Sequence, residues 1–416
     1  YKQSADLGCT NAMACYGEML YYSEGVEIAK NESIKYLKKS IELDNNKGRL
    51  IYGKILLSTD DIESQKEAGK LFKKIIEKGD ELLMNEKEKN NINTKNFEIE
   101  IYGHALGIYG QMLYYGTGIQ SDKEESIKLL KKSIELNSSF GMFSYAKILL
   151  EKDDKESKLK AAEYFKRLIE HNDSEAIYEY GMMLLTGDGI PMNKQEAIKY
   201  IKKSADLENR RAIYQYGNLI YKGDIISCDK KLALEYFKKA SYLGEANAMF
   251  SYANAVLLEN GNIENCDEAS KYFKKSADLG NPYSMAVYGM ILNRKNENPN
   301  NKKIAIEYLK KSVDLQCPFG MFGYAKVLSN SDDYESNRKA AELYKKIIDD
   351  GMDFMFNEFV MFEYGKLLET GKGVPKNLKE AAFYYKQSAD LGCTNAMACY
   401  GGMLYYGEGV EIDKNE

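Results

Sequence analysis

The sequence predicts an all-α fold, a right-handed α-solenoid of about eleven helix-turn-helix repeats of ~36 residues. Three observations favour this fold. An aromatic-Gly or Tyr-Ala pair recurs along the chain, the residues around each pair repeat, and a second segment with helical periodicity follows each pair. The chain has 416 residues, more than one compact core supports, and a repeat array accommodates that length.

The second residue of each recurring pair is called the anchor here. Seven of the ten intervals between successive anchors are 36 residues, and the others are 35, 40 and 57. A fixed period of this length is the sequence signature of a solenoid. The anchors are Gly17, Gly53, Gly110, Ala146, Gly181, Gly217, Ala253, Gly289, Ala325, Gly365 and Gly401.

Each repeat is predicted to contain helix A and helix B, each of roughly 12–14 residues. Helix A carries the anchor, as in YGMMLLTGDGI at 180–190, and helix B follows, as in AIKYIKKSADL at 197–207. Both carry apolar residues at i, i+3, i+4 and i+7, which is the period of an amphipathic helix. Helix A ends at a G-x-G turn because glycine adopts the positive φ of a helix C-cap without steric penalty.

The anchor itself is glycine in eight of the eleven repeats and alanine in the other three. A glycine inside a helix costs about 1 kcal/mol relative to alanine, so its recurrence requires a packing reason. We expect the anchor to face a closely approaching backbone.

These motifs resemble the Sel-1-like repeat family, a relative of the tetratricopeptide repeats. The resemblance covers almost the whole chain and implies an α-solenoid that acts as an adaptor between proteins. Two departures, Tyr in place of the helix-B Trp and three repeats without the G-x-G turn, are interpreted as packing drift. The motif residues in one closely matching repeat are Tyr180, Gly181, Leu184, Gly187, Gly189, Ala197, Tyr200, Lys203 and Ser204.

Two features interrupt or extend the repeat pattern. An insert at about 82–100 is rich in Asn, Glu and Lys and predicts either an added helix or a mobile loop, with the composition favouring disorder. Residues 385–416 repeat residues 1–32 with three differences. We therefore predict that 1–416 is a single solenoid and a segment of a longer array.

Composition argues against several classes of protein. The net charge is -5 with acidic and basic residues interleaved, so no basic surface for nucleic acid is predicted. No apolar run approaches ~18 residues, so no membrane insertion is predicted. Seven cysteines without a CxxC motif indicate a reduced, cytoplasmic protein.

No catalytic, metal or cofactor site is predicted, and we expect the protein not to be an enzyme. His104 and His171 lie 67 residues apart without a nearby ligand set. The G-x-G turns end helices, whereas phosphate-binding loops begin them. The repeated Lys-Lys-Ser of helix B, at 38–40 and 202–204, is predicted to be a solvated face.

A candidate partner-binding surface follows helix A at two residues before, one after and five after each anchor. These positions vary and are often polar, and their spacing places them on one side of the helix. Position minus three is apolar and predicted to be core. The alternative interpretation is a solvated face without a ligand. The candidate residues are Glu18, Tyr22, Lys147, Met182, Asn218, Lys222, Asn254, Met290, Arg294, Lys326 and Lys366.

Mixed charge together with Tyr and Met suits a peptide or protein ligand better than a metabolite. The sequence therefore predicts a scaffold that presents a concave surface, lined by the A helices, to a protein or peptide partner. The alternative is a structural fibre or self-assembling array with end-to-end self-association, which the near-exact copy at 385–416 favours.

Overall fold

The computed structural model describes residues 1–22, 29–59, 61–85, 93–260, 267–294, 299–351 and 357–412. The regular secondary structure of these residues is helical, which confirms the predicted all-α repeat fold. The chain divides into two compact units, Tyr1–Asn209 and Arg210–Glu416, which are considered separately.

In both units the A helices carry even numbers and the B helices odd numbers. The first unit contains α1 (Lys2–Asp6), α2 (Thr10–Tyr22), α3 (Lys30–Glu42), α4 (Asn46–Leu57), α5 (Ile62–Asn85), α6 (Asn93–Tyr115), α7 (Lys123–Glu135), α8 (Ser139–Leu150), α9 (Lys155–Ile169), α10 (Ser174–Thr186) and α11 (Lys194–Asp206). The second contains α12 (Arg210–Lys222), α13 (Lys230–Tyr242), α14 (Ala246–Asn260), α15 (Asp267–Asp278), α16 (Pro282–Arg294), α17 (Pro299–Asp314), α18 (Pro318–Ser329), α19 (Tyr334–Asp349), α20 (Asn357–Thr370), α21 (Leu378–Asp390) and α22 (Thr394–Tyr406).

Local chemistry sets the helix ends. Asn193 is the N-cap of helix α11. Its side chain accepts a hydrogen bond from the Glu196 N–H, which satisfies a free donor of the first turn. Gly187 ends α10 in the left-handed conformation, with φ of 75°, as predicted for the first glycine of the turn.

The second glycine of the turn has a role that the sequence analysis did not assign. Gly189 also has a positive φ, of 77°, and a Cβ there would lie 2.3 Å from the Cβ of Lys158 on the preceding B helix. At Gly373 a Cβ would lie 2.2 Å from the backbone nitrogen of Arg338. Glycine at this position therefore lets the turn pack directly on the preceding repeat.

The anchor packs against helix B of its own repeat. A Cβ on Gly217 would lie 3.0 Å from Cε1 of Phe237, and one on Gly365 would lie 2.8 Å from Cε1 of Tyr385. The expectation that the anchor faces backbone was therefore wrong for these repeats, because a large side chain fills the space.

The tyrosine before the anchor makes a recurring aromatic contact. The rings of Tyr180 and Tyr200 meet edge to face, with centroids 5.1 Å apart. This geometry is favoured because the ring edge is positive and the ring face negative. The Lys166 ammonium group from the preceding B helix lies 5.5 Å from the Tyr180 centroid. The same edge-to-face pair joins Tyr16–Tyr36, Tyr145–Tyr164, Tyr216–Tyr236, Tyr252–Tyr272, Tyr288–Tyr308 and Tyr364–Tyr384.

The serine of the Lys-Lys-Ser segment is buried, contrary to the predicted solvated face. Ser204 is 0% exposed, and its hydroxyl donates to the carbonyl of Ser174 at 2.6 Å, whereas Lys202 and Lys203 are exposed. The hydrogen bond crosses from helix B to the first turn of helix A, 30 residues earlier. The equivalent donors at this spacing are Ser40, Ser133, Ser276, Ser312 and Ser388.

The insert lengthens two helices. Helix α5 continues to Asn85 and helix α6 begins at Asn93, so the preference for disorder at 82–100 was wrong for the helical part of the insert. Residues 86–92 lie outside the described residues. Ile76 of α5 and Ile101 of α6 are buried in the same core cluster. The core therefore fixes both helices, and the insert extends them.

The anchor contact predicts that Gly217→Leu destabilises the second unit. The larger side chain collides with Phe237, and overpacking of this kind costs roughly 1–3 kcal/mol. Urea denaturation would measure the loss. Lys222→Leu is the control, because it places the same side chain at an exposed position of the same helix α12. Equal effects at both positions would contradict the assigned contact.

The buried hydroxyl predicts that Ser204→Ala lowers the free energy of unfolding by about 1 kcal/mol, because a hydrogen bond between helices is lost. Chemical denaturation would measure this change. Lys203→Ala, at the exposed neighbour, should change stability much less. A neutral Ser204→Ala would show that the hydrogen bond contributes nothing.

Candidate functional site

The candidate residues lie on the solvent-accessible side of the A helices. Those on α2, α8, α10, α12, α14, α16, α18 and α20 are each half-buried or exposed, so none is lost to the core. The half-buried residues are Glu18, Lys147, Met182, Asn218, Asn254 and Met290. The exposed ones are Tyr22, Lys222, Arg294, Lys326 and Lys366.

Neighbouring repeats are joined by polar contacts within this surface. The residue after one anchor meets the residue two before the next anchor. Lys147 Nζ lies 2.9 Å from Glu179 Oε1, and Lys326 Nζ lies 3.8 Å from Glu363 Oε1. The sequence analysis compared equivalent positions of different repeats and therefore missed these pairs, which link non-equivalent positions.

The apolar residues at minus three lie beside this surface and pack on helix B. Phe322 and Phe362 are half-buried, so they are only partly the core residues that the sequence predicts. The Lys326 ammonium lies 5.8 Å from the Phe322 centroid, and that of Lys366 lies 5.6 Å from the Phe362 centroid. Each ammonium group therefore makes a cation–π contact with the face of the phenylalanine ring.

Met290 shows that a candidate residue can also hold repeats together. A Cβ on Gly323 of the next A helix would lie 3.1 Å from the Met290 Cγ. Met290 thus contributes both to packing and to the accessible surface.

A cleft of about 440 Å³ opens on the same side of the first unit, among helices α4, α6 and α8. Its position follows the anchor register, since Lys54 and Gln111 each stand one residue after an anchor. The sequence analysis did not single out these two repeats, although their anchors Gly53 and Gly110 were known. The lining residues are Lys54, Leu57, Ile108, Gln111, Met112, Tyr115, Thr117 and Phe140.

Burial and charge define the electrostatics of the cleft. Burial lowers the pKa of the Lys54 ammonium, and the negative charge of Glu18 only partly opposes this effect. Burial and the Lys54 charge together lower the pKa of His104, one helical turn from the cleft residue Ile108. Burial, and then the hydrogen bond to the Glu151 carboxylate, raise the pKa of the Tyr115 hydroxyl.

In the part of the chain that the structure describes, no group of three or more His, Cys, Asp and Glu side chains could hold a metal ion. Within the same part, no helix combines the length and apolar character needed to cross a bilayer.

Comparison with known proteins supports the repeat assignment. The family model for the Sel1 repeat matches seven segments that together make up more than half of the chain, in agreement with the resemblance seen in the sequence. No match was found among curated protein sequences. The matched segments are residues 10–45, 104–138, 174–209, 210–245, 246–281, 284–317 and 359–393.

The solved structures that are similar to this chain include two repeat proteins. One is a protective antigen of uropathogenic Escherichia coli strains with an SLR fold, which is 20% identical with a TM-score of 0.57, over 99% of this chain and 83% of the antigen. The other is a Sel1 repeat protein from Oxalobacter formigenes, which is 17% identical with a TM-score of 0.42, over 70% of this chain and 84% of that protein. The first similarity supports the solenoid fold alone.

The contact between Lys147 and Glu179 predicts a measurable coupling between adjacent repeats. A double-mutant cycle with Lys147→Met and Glu179→Gln should give a coupling free energy of about 1 kcal/mol, because Glu179 is buried. The control cycle at the exposed pair Lys128–Glu124 should give about 0.3 kcal/mol. Equal couplings in both cycles would contradict a role in joining repeats.

Proposed function

Because this chain belongs to the Sel1 repeat family, we propose that it is a protein-interaction scaffold whose A helices bind a protein or peptide partner. The observation that carries the proposal is the accessible surface of the A helices, which combines half-buried apolar side chains with charged ones. Protein interfaces favour this combination, because apolar groups provide contact area and charged groups select the partner.

The A-helix surface and the Lys-Lys segments of the B helices expose different chemistry. On the A helices Met182 and Met290 are accessible beside charged residues. On helix B the exposed Lys-Lys segments, such as Lys202 and Lys203, present mainly solvated charge. A flexible methionine side chain adapts to different partner surfaces, whereas desolvating lysines is costly. This difference favours the A helices as the binding layer.

The proposed binding surface is the concave side that a solenoid forms where its A helices stand next to one another. Direct contacts between α6 and α8, and between α16 and α18, support such a strip within each unit. An extended peptide or one face of a partner protein could contact several repeats at once. Many weak contacts would then add up along the strip.

A self-assembling array is the second candidate function. Residues 385–416 repeat residues 1–32 with three differences, and near-identical segments of this kind offer like surfaces for stacking in an array. Sedimentation over a concentration series would then show growing assemblies, whereas a scaffold that binds other proteins would sediment independently of concentration.

Site-specific photocrosslinking tests the scaffold function. A benzophenone amino acid would replace Met182 or Met290 on the A helices, and Lys202 or Lys311 on the B helices as matched controls. In a lysate of the source organism, we expect the A-helix positions to crosslink to the same partner protein and the B-helix positions to remain unlabelled. Equal labelling of both layers would contradict the proposal, and crosslinks to the chain itself would favour the array.

A further inference from the structure

The cleft in the first unit lies where the regular spacing of the A helices is interrupted. Helix α6 approaches α8 closely, since a Cβ on Gly107 would lie 2.9 Å from the backbone nitrogen of Gly141. The cleft is lined by α4 and α6 together with Phe140 of α8, and the anchors of α4 and α6 are separated by 57 residues in place of 36. The lengthened α5 and α6 thus coincide with an opening in the surface.

The cleft has an apolar part and a polar part. Leu57, Ile108, Met112 and Phe140 provide apolar surface, and Lys54 provides an ammonium group. Gln111, Thr117 and Tyr115 add polar atoms. At about 440 Å³ the volume lies within the range of roughly 300–1,000 Å³ typical of ligand sites. A ligand with one apolar group and one polar group would match both parts.

The positive charge of Lys54 indicates that the polar group of the ligand is negatively charged. Its side chain is half-buried, and no ion pair joins it to any residue with a described position. Glu18 is close enough to affect its pKa but forms no salt bridge with it in the same part of the chain. A partly desolvated ammonium without a bound carboxylate is unfavourable, and a carboxylate from a ligand would compensate it.

We propose that this cleft binds a peptide segment in which an Asp or Glu side chain pairs with Lys54 and an adjacent apolar side chain contacts Leu57, Ile108 and Phe140. This inference rests on the proposed scaffold function and specifies its ligand chemistry. One ammonium and the neutral amide of Gln111 complement a single negative charge. A phosphate dianion would bring additional negative charge close to Glu18 and Glu151 for only one cation.

Binding of defined peptides to the full chain of 416 residues tests the proposal. The probes are eight-residue peptides, acetylated and amidated at their ends, with Asp or Glu next to Leu, Ile or Phe in a Gly-Ser background. Matched sets replace the acid by Asn or Gln, or the apolar residue by Ser. Fluorescence polarisation should detect the acidic-apolar set and show at least tenfold weaker binding for both matched sets.

The variant Lys54→Met separates binding from folding. It should weaken binding of the acidic-apolar peptides at least tenfold, while the melting temperature stays the same or rises because an unpaired, half-buried charge is removed. Lys128→Met, at an exposed lysine of helix α7, is the control and should leave binding unchanged. Unchanged binding by Lys54→Met would overturn the assignment of the carboxylate to this residue.

Two further outcomes would also overturn the proposal. Equal binding of acidic and amide peptides, or no binding at all, would exclude a carboxylate site in the cleft. A further matched set is left unamidated, and binding of that set without binding of the amidated set would replace the side-chain carboxylate by a chain terminus. Partner crosslinking at Met290, which lies in the second unit, would remain as independent support for the scaffold if the cleft binds no peptide.

Discussion

The close approach of helix A to helix B at the anchor is the contact on which the rest of each repeat depends. Where the anchor is glycine, as at Gly217, a bulky side chain such as Phe237 fills the space that a larger anchor would occupy. The edge-to-face tyrosine pair forms next to this contact. At the opposite end of the helix pair, a buried hydroxyl such as that of Ser204 hydrogen-bonds to helix A. Together these contacts leave each helix pair little freedom to slide or rotate.

Contacts between repeats use a different set of residues. The second glycine of the turn, such as Gly189, packs on the preceding B helix, and lysines such as Lys166 lie over the tyrosine of the next A helix. Salt bridges such as Lys147–Glu179 cross from one A helix to the next. The exposed positions of the A helices, such as Lys222 and Arg294, lie outside these contacts and can vary without loss of the fold. That freedom is what a repeat scaffold needs in order to bind a particular partner.

The insert coincides with a distinct site in the repeat array. Lys54 and Gln111 occupy the ordinary position one residue after the anchor, and here they line a cleft beside the lengthened helix α6. Lys54 is a half-buried ammonium without an ion pair among the described residues, whereas Lys147 at the equivalent position pairs with Glu179.

The sequence by itself determined the repeat. The 36-residue interval, the helical period and the turn glycines predicted tandem helix pairs, because these features depend on local conformation and on burial of one helix face. The accessible positions of helix A followed from the same register. Their role in binding stays a prediction.

Only the tertiary structure decided which residues meet. Burial of Ser204, the contact of Gly189 with the preceding repeat and the pairing of Lys147 with Glu179 depend on how separate helices pack, which a pattern within one helix does not specify. The composition of the insert favoured disorder, but part of it is helical because it continues two helices that are packed in the core. The cleft at Lys54 likewise exists through the spacing of three helices, and spacing between helices is a property of their packing rather than of any single segment.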